Sequence, residues 1–340
     1  MGDINFVDRR RQSIGGSEIS AVLGINPYVT PVDVYLEKTG RKEPFAGSIT
    51  TRRGNYLEPL VADEYAKATG YEVYELYQLG LEPSDTIRIV GTDVILLHPD
   101  YHFLRATIDR IAITPFGSKI VAEIKTAVGW GVNKFLSGVP EYYRLQAIWN
   151  RGIANYHMTM LEDIMQMPVL LDDKYDCFDI PYSEYEFDWM VEQAVAFWNN
   201  HILADNPPTP ASVEEAKTIF VDTDGTTVDA DEELVKLIAE MAQIKENMSS
   251  AESETSMTKT ALARMQEAYA EKELLLRNTL GNTQYVKLGN RNLITYSPVA
   301  GRAYFDVDLF KEDQPELYQK YMKRKPSSRQ LRINYKILGE

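Results

Sequence analysis

Residues 106–127 read ATIDRIAITPFGSKIVAEIKTA, and this stretch decides the fold of the region around it. β-Branched and aliphatic residues surround Asp109 in its first part and Glu123 in its last part, which predicts two strands. The TPFGS segment between them supplies the proline and glycine of a turn. The stretch therefore predicts a β-hairpin with Asp109 on one strand and Glu123 and Lys125 on the other.

Three charged side chains of this hairpin form a candidate metal site. Strand side chains alternate between faces, so Glu123 and Lys125 project from the same face, and we expect Asp109 to face them. Carboxylates hold Mg²⁺ through hard oxygen atoms, and a lysine beside them positions or helps to deprotonate an attacking water. This combination is what metal-dependent hydrolysis of phosphodiesters requires.

The alternative is that these charges are merely solvated or paired, as they are in most hairpins with an acid on one strand and E-x-K on the next. A purely structural salt bridge between Lys125 and Glu123 is disfavoured, because it would leave Asp109 uncompensated.

A series of short motifs surrounds the hairpin in a fixed order. They are R-x-x-x-I-G-G-S (10–17), G-x-N-P-Y-x-T-P (24–31), E-K-T-G (37–40), G-x-x-x-E-P (54–59), I-D (108–109), E-I-K-T (123–126) and Y-x-x-Q (143–146). Together with D-x13-E-x-K, the series resembles the YqaJ-type viral recombinase family, relatives of the lambda exonuclease among the PD-(D/E)XK nucleases. The resemblance covers about residues 6–205 well.

The resemblance implies an α/β fold, in which a mixed sheet is flanked by helices, and it implies roles for individual residues. Glu58, from the first core helix, completes the acidic site, and Gln146 helps to hold the lysine or the attacked phosphate. The implied metal ligands are Glu58, Asp109, Glu123 and the backbone carbonyl of Ile124, with Lys125 orienting water. Two features depart from the family pattern: Ile108 stands where relatives often have proline, and the segment after Gln146 is shorter.

The same resemblance matches Arg10 and Ser17 to residues that bind a terminal 5′-phosphate. Gly15-Gly16-Ser17 is predicted to open a helix, whose free N–H groups attract phosphate while an arginine clamps it. The alternative is that Ser17 is only a helix N-cap and Arg10 a surface charge.

The function implied is Mg²⁺-dependent hydrolysis of DNA, with Mn²⁺ able to substitute and no ATP, since the sequence has no G-x-x-x-x-G-K-[ST] loop. The leading interpretation is a 5′→3′ exonuclease on double-stranded DNA ends that leaves 3′ single strands for an annealing protein. Relatives also suggest assembly of copies into a ring. An endonuclease or nickase with the same core is the alternative within enzymes, and a non-catalytic DNA-binding or scaffold protein is the alternative outside them.

Composition sets further limits on a chain of 340 residues. No stretch approaches 18 uncharged apolar residues, which predicts no membrane span, and the N-terminus lacks the apolar segment of a secretory signal. The single cysteine, Cys177, excludes an intramolecular disulfide and fits a reducing cytosol, in a prokaryotic or phage-infected cell.

The net charge of −14 opposes DNA binding at long range, because affinity for DNA comes mainly from lysine and arginine. Clustering of the basic residues offsets this. The clusters are Arg9–Arg11, Arg52–Arg53 and a C-terminal run of Lys320, Lys323, Arg324, Lys325, Arg329, Arg332 and Lys336, which could equally be ordinary solvated residues.

A proline-rich segment that ends the last predicted helix of the core indicates the domain organisation. Asn206-Pro-Pro-Thr-Pro separates a predicted nuclease core (1–205) from an accessory region (213–340), with a linker at 206–212. The accessory region should contain helices within 231–280, a small hairpin and a basic C-terminal segment. In the core, single strands are predicted at 86–97, 103–113 and 119–126.

Overall fold

The computed structural model describes residues 11–43, 45, 47–252, 258–299, 303–304, 323–324 and 328–333. Contacts between Cα atoms divide the chain into two compact units, Met1–Pro208 and Thr209–Glu340. Arg10 and parts of the C-terminal basic run (Lys320, Lys325 and Lys336) lie outside the described residues.

The first unit contains both helices and strands. The helices are α1 (Gly16–Val22), α2 (Pro31–Lys38), α3 (Ile49–Thr69), α4 (Glu141–Ala154) and α5 (Glu184–Phe197), with 3₁₀ turns at Leu76–Leu79 and Gly129–Phe135 and a π-helical turn at Trp198–Leu203. The strands are β1 (Ile14–Gly15), β2 (Glu72–Tyr74), β3 (Ile87–Val90), β4 (Asp93–Leu97), β5 (Leu104–Ala106), β6 (Arg110–Ile113), β7 (Lys119–Ala122), β8 (Lys125–Ala127), β9 (Ile164–Leu171) and β10 (Lys174–Pro181).

Local sequence signals explain where α3 begins and ends. The Ser48 hydroxyl accepts the N–H of Thr51 at 3.2 Å and so caps the first turn. Gly70 ends the helix in a left-handed conformation at φ 69°, which glycine adopts without steric cost. Val61 and Tyr65, four residues apart, are buried against the sheet. α3 is thereby fixed in place, and with it Glu58.

Two mixed sheets organise this unit. The first has the strand order β1-β5-β4-β3, with β1 and β5 parallel and the other pairs antiparallel. The second has the order β10-β9-β7-β6-β2, and β8 also pairs with β9; β7 and β8 run parallel to β9. The predicted mixed α/β fold with flanking helices is confirmed.

Three predicted strands are each divided in the structure. Residues 86–97 form a hairpin that turns at Gly91, with φ 64°. Within 103–113 the chain leaves the first sheet after β5 and enters the second at β6. Within 119–126 the strand is interrupted between β7 and β8, at Glu123 and Ile124. Thus Asp109 lies at the crossing between sheets and Glu123 lies at a break, rather than inside regular strands.

The core of the unit is built around α4, which packs against α1, α5 and β5. Trp149 and Ile148 are fully buried, and the Trp149 indole N–H donates to the Arg105 carbonyl at 2.8 Å. Gly152 lets Phe187 of α5 approach closely, since a Cβ at that position would lie 2.1 Å from the phenyl ring. This packing fixes the face of α4 that carries Gln146.

The second unit has its own core. Its elements are α6 (Val213–Ile219), β11 (Thr227–Asp229), α7 (Glu232–Glu252), α8 (Thr258–Leu280), β12 (Tyr285–Leu288), β13 (Arg291–Val299), β14 (Ala303–Tyr304), β15 (Lys323–Arg324) and β16 (Ser328–Ile333). One sheet has the order β11-β12-β13-β16 and a second pairs β14 with β15. Ile238 and Met241 of α7, Leu276 of α8 and Tyr296 of β13 share one buried cluster. Across the described ranges, no helix is long and apolar enough to cross a membrane.

Candidate active site

Asp109 joins the two halves of the candidate site. Its Oδ2 accepts the backbone N–H of Ile124 at 2.9 Å, across the β6–β7 hairpin. The Asp109 side chain therefore accepts the Ile124 N–H in place of a backbone carbonyl, whereas the Glu123 N–H still donates to the Gln166 carbonyl of β9 at 3.0 Å. The result places the Asp109 carboxylate directly beside the E-x-K segment.

Glu123 is almost fully buried, with 1% of its surface exposed. Its Oε1 accepts from Lys125 Nζ and from Gln146 Nε2, each at 2.5 Å, and its Oε2 accepts from Asn150 Nδ2 at 2.9 Å. Burial and then the charge of Asp109 raise the pKa of Glu123 to about 7, against the opposing effects of Lys125 and Asn150. This carboxylate is thus desolvated but held by three side-chain donors.

Lys125 forms an ion pair with Glu123 at 2.5 Å. This pair does not leave Asp109 uncompensated, because Asp109 accepts the Ile124 N–H. The ammonium also lies 5.0 Å from the centre of the Tyr143 ring. Burial lowers the pKa of Lys125, but the charges of Glu123 and Asp109 raise it above its ordinary value. Lys125 therefore remains protonated here and is suited to orient water rather than to accept a proton.

Glu58 reaches the site from α3 and is held there by Arg110. Its Oε1 accepts from Arg110 Nη1 at 2.7 Å, and the same nitrogen donates to the Asp109 carbonyl at 2.6 Å. Arg110 Nη2 also lies 3.5 Å from Glu75. Burial and then the Asp109 charge raise the pKa of Glu58 despite this arginine. Glu58 and Asp109 are therefore close enough to repel each other, and Arg110 offsets part of that repulsion.

An acidic cleft of about 370 Å³ opens in front of these carboxylates. Its polar lining consists of Ser17, Glu58, Glu75, Thr92, Asp93, Arg105, Thr107, Asp109 and Arg110. Ser17 is exposed in the first turn of α1, whereas Gly15 is the N-cap residue. The N-cap alternative for Ser17 is thus excluded. Among the predicted site residues, Ser17, Glu58 and Asp109 line this cleft, whereas the half-buried Lys125 and Gln146 surround the buried Glu123 beside Asp109.

The candidate metal ligands fit a hard divalent cation in their chemistry, because all are oxygen donors. In the part of the chain that the structure describes, however, no group of three or more Asp, Glu, His or Cys side chains is gathered closely enough to hold a metal ion. The reason is electrostatic: Glu58 is drawn to Arg110 and Glu123 to its three donors, while the carboxylates repel one another. Glu58, Asp109, Glu123 and the Ile124 carbonyl are the groups that would hold a cation.

Two residues of the site, Asn150 and Arg110, were not predicted from the sequence. Asn150 follows Tyr143 by seven residues and Gln146 by four on a predicted helix, so helical periodicity could have placed all three on one face. Arg110 carried no comparable signal, because its neighbour Asp109 lies at an irregular crossing between sheets.

Gly16 provides the space that Asn150 needs. A Cβ at Gly16 would lie 2.5 Å from Asn150 Oδ1 and 3.3 Å from Gln146 Cγ. Asn150 Oδ1 is buried and has no hydrogen-bond partner among the described residues. The second glycine of the G-G-S motif thus packs against the two amides that hold Glu123.

Fold and site together define a class: mixed α/β proteins with an acidic cleft beside a buried glutamate–lysine pair. Residues 5–157 match the YqaJ-like viral recombinase domain, which confirms the predicted resemblance. The match spans all the candidate site residues.

Individual proteins similar to this chain share 24% or less of its sequence in the matched regions. The chain is 24% identical over 323 residues to Uncharacterized protein YqaJ of Bacillus subtilis (strain 168), covering 92% of this chain and 89% of that protein. Two crystal structures of the alkaline exonuclease LHK-Exo from Laribacter hongkongensis, one in complex with dAMP, match with 16% identity and TM-scores of 0.44 and 0.43. They cover 59% and 58% of this chain and 92% and 91% of theirs. These scores are too low to assign individual residues.

Proposed function

We propose that this protein is a metal-dependent deoxyribonuclease. The observation that carries the proposal is the buried Glu123–Lys125 pair, linked through the Asp109–Ile124 hydrogen bond to a cleft lined by Asp109 and Glu58. Two carboxylates at an open cleft and a protonated lysine beside them suit hydrolysis of a phosphodiester. The match to a viral recombinase domain supports DNA as the substrate.

Each residue has a distinct part in this proposal. Glu58, Asp109, Glu123 and the Ile124 carbonyl hold a divalent cation, which when bound polarises the phosphate and lowers the pKa of water. Lys125 orients the attacking water through its ammonium donors. Gln146 and Asn150 keep the Glu123 carboxylate in one orientation by donating to both of its oxygens. Arg110 limits the repulsion between Glu58 and Asp109 before the cation binds.

The finer proposal is a Mg²⁺-dependent 5′→3′ exonuclease acting on double-stranded DNA ends, with Mn²⁺ as a substitute ion. Ser17 supports it, because this residue lines the same cleft as Asp109 and can contact a phosphate next to the reacting one. Arg10 completes the proposed clamp. The 3′ single strands produced would be taken up by an annealing protein in the cytoplasm of a prokaryotic or phage-infected cell, with copies of the chain assembled into a ring.

A digestion experiment tests both levels of the proposal. Linear duplexes labelled at the 5′ or 3′ end, bearing 5′-phosphate or 5′-hydroxyl, are incubated with Mg²⁺, Mn²⁺ or EDTA beside covalently closed circles. We expect metal-dependent release of 5′ label from linear DNA and intact circles. Cleavage of circles would replace the exonuclease with an endonuclease or nickase. No cleavage of either DNA with either metal would reject the nuclease in favour of a DNA-binding or scaffold protein.

A further inference from the structure

A second, smaller pocket of about 210 Å³ shares Ile95 and Arg105 with the acidic cleft. Among the residues that the structure describes, its polar lining consists of Gln12, Ser13, Arg88, His102 and Arg105, with no aspartate or glutamate. We call it the basic pocket. In a chain with 50 acidic and 36 basic residues, a pocket whose described lining holds two arginines and no carboxylate is a local reversal of charge.

Strand register places both arginines on one face of the first sheet. Arg88 of β3 pairs with Ile95 of β4, and Leu97, two residues further on, pairs with Arg105 of β5. Since alternate residues share a face, Arg88, Ile95, Leu97 and Arg105 point to the same side. Two strand spacings separate β3 from β5, or about 10 Å, so two long guanidinium side chains can converge on one phosphate between them.

The two arginines differ in what holds them. Arg105 Nε donates to the Ser13 hydroxyl at 2.8 Å, and its guanidinium lies 3.2 Å from where a Cβ at Gly15 would be. Arg105 is therefore fixed in the wall between the pocket and the cleft. The side chain of Arg88 is exposed and makes no ion pair or hydrogen bond with any residue that the structure describes. An arginine in such a position is available to a ligand.

We propose that the basic pocket binds a non-scissile backbone phosphate of the DNA whose neighbouring phosphate lies in the acidic cleft. The inference rests on the proposed function for its ligand. A phosphate fits because guanidinium groups donate in pairs to phosphate oxygens. The pocket places a site of positive charge beside a cleft in which carboxylates outnumber arginines, and so offers DNA a local attraction in a chain of net charge −14.

The test measures binding without cleavage. In the full chain carrying Lys125→Ala, Arg88→Ala is compared with Lys174→Ala, an exposed lysine at the β9–β10 turn, by fluorescence anisotropy on a duplex at several KCl concentrations. We expect Arg88→Ala to weaken binding about five- to tenfold at low salt and to reduce the slope of log Kd against log [KCl] by about one. Lys174→Ala should change neither, and Arg88→Lys should retain most of the slope.

Further measurements distinguish an internal from a terminal DNA phosphate and separate the proposed phosphate site from the proposed nuclease activity. Equal loss on duplexes with 5′-phosphate and with 5′-hydroxyl indicates an internal backbone phosphate; loss confined to the 5′-phosphate duplex would overturn this in favour of a terminal one. Equal binding by Arg88→Ala and Lys174→Ala would remove the basic pocket while leaving the nuclease intact. If the protein with Lys125 restored cleaves no DNA, the nuclease fails, and the binding data still decide the pocket.

Discussion

Replacing Gly16 with alanine should displace Asn150 and thereby remove a hydrogen bond that Glu123 accepts, although the new methyl group would meet Asn150 and not Glu123. The new Cβ would lie 2.5 Å from Asn150 Oδ1 and 3.1 Å from its Cγ. Because an ordinary contact needs about 3.4 Å or more, the Asn150 amide must move by roughly 0.9 Å, and its 2.9 Å hydrogen bond to Glu123 breaks. Overpacking of a core costs about 1–3 kcal/mol, and a buried acceptor that loses its donor costs about 1–3 kcal/mol more.

We therefore expect Gly16→Ala to reduce the free energy of unfolding by about 2–6 kcal/mol, as measured by urea denaturation, and to lower cleavage measured under folded conditions. Gly54→Ala is the matched control: its Cβ would meet only Thr126 Oγ1 at 3.6 Å, within α3. That change should stabilise the protein by about 0.5–1 kcal/mol, because alanine favours a helix over glycine.

A double-mutant cycle identifies the cause. Asn150→Ala removes the group that the new methyl would strike, so the combined variant should lose less than the sum of the single losses, with a coupling of about 0.5–3 kcal/mol. Additive losses, or a Gly16→Ala protein with unchanged stability and activity, would refute the argument that Gly16 acts through Asn150.

Four other predictions concern the site and the unit boundary. Lys125→Ala and Glu123→Ala should each reduce cleavage by orders of magnitude while DNA binding persists; activity above about a tenth of wild type in either variant would contradict the assignment. As pH rises from 4.5 towards about 7, the free energy of unfolding of the metal-free wild-type protein should fall relative to that of the Glu123→Gln variant. The reason is that a carboxyl with a raised pKa binds more protons in the folded state than in the unfolded state. Urea midpoints of the two proteins that change in parallel across that range would contradict this. Wild-type enzyme should start faster on 5′-phosphorylated duplex than on 5′-hydroxyl duplex, by roughly thirty- to several-hundred-fold for a clamp of about 2–4 kcal/mol, and Arg10→Ala should erase most of this difference; equal initial rates on both ends would remove the clamp. Residues 1–210 should fold alone but degrade DNA less processively, and unchanged processivity together with unchanged mass in light scattering would give the remaining residues another role.

The sequence was sufficient to predict that Asp109, Glu123, Lys125 and Gln146 lie near one another, because these residues belong to short-range patterns. The proline–glycine turn between Asp109 and Glu123 predicts the hairpin, and helical spacing places Gln146 on α4. These signals depend only on neighbours in the chain, and the structure brings the same residues together.

Other features depend on contacts between distant segments and could not be predicted locally. The break between β7 and β8 includes Ile124, whose N–H donates to the side chain of Asp109, a residue 15 positions away in the sequence. The pairing of Arg110 with Glu58 joins residues 52 positions apart. Counting formal charges around Lys125 could not reveal that a backbone N–H, which carries no formal charge, stabilises Asp109.

Asp109, which we propose as a metal ligand, also stabilises the fold by accepting the Ile124 N–H. Any substitution that removes the acceptor leaves the Ile124 N–H unpaired in a largely buried setting, so the loss of function at this position carries a loss of stability with it. The Lys125 ammonium donates to the Glu123 side chain and not to a backbone group. A chain that lost DNA cleavage but kept the fold could give up Lys125 only together with the charge of the buried Glu123, whereas it would still need an acceptor such as aspartate or asparagine at position 109.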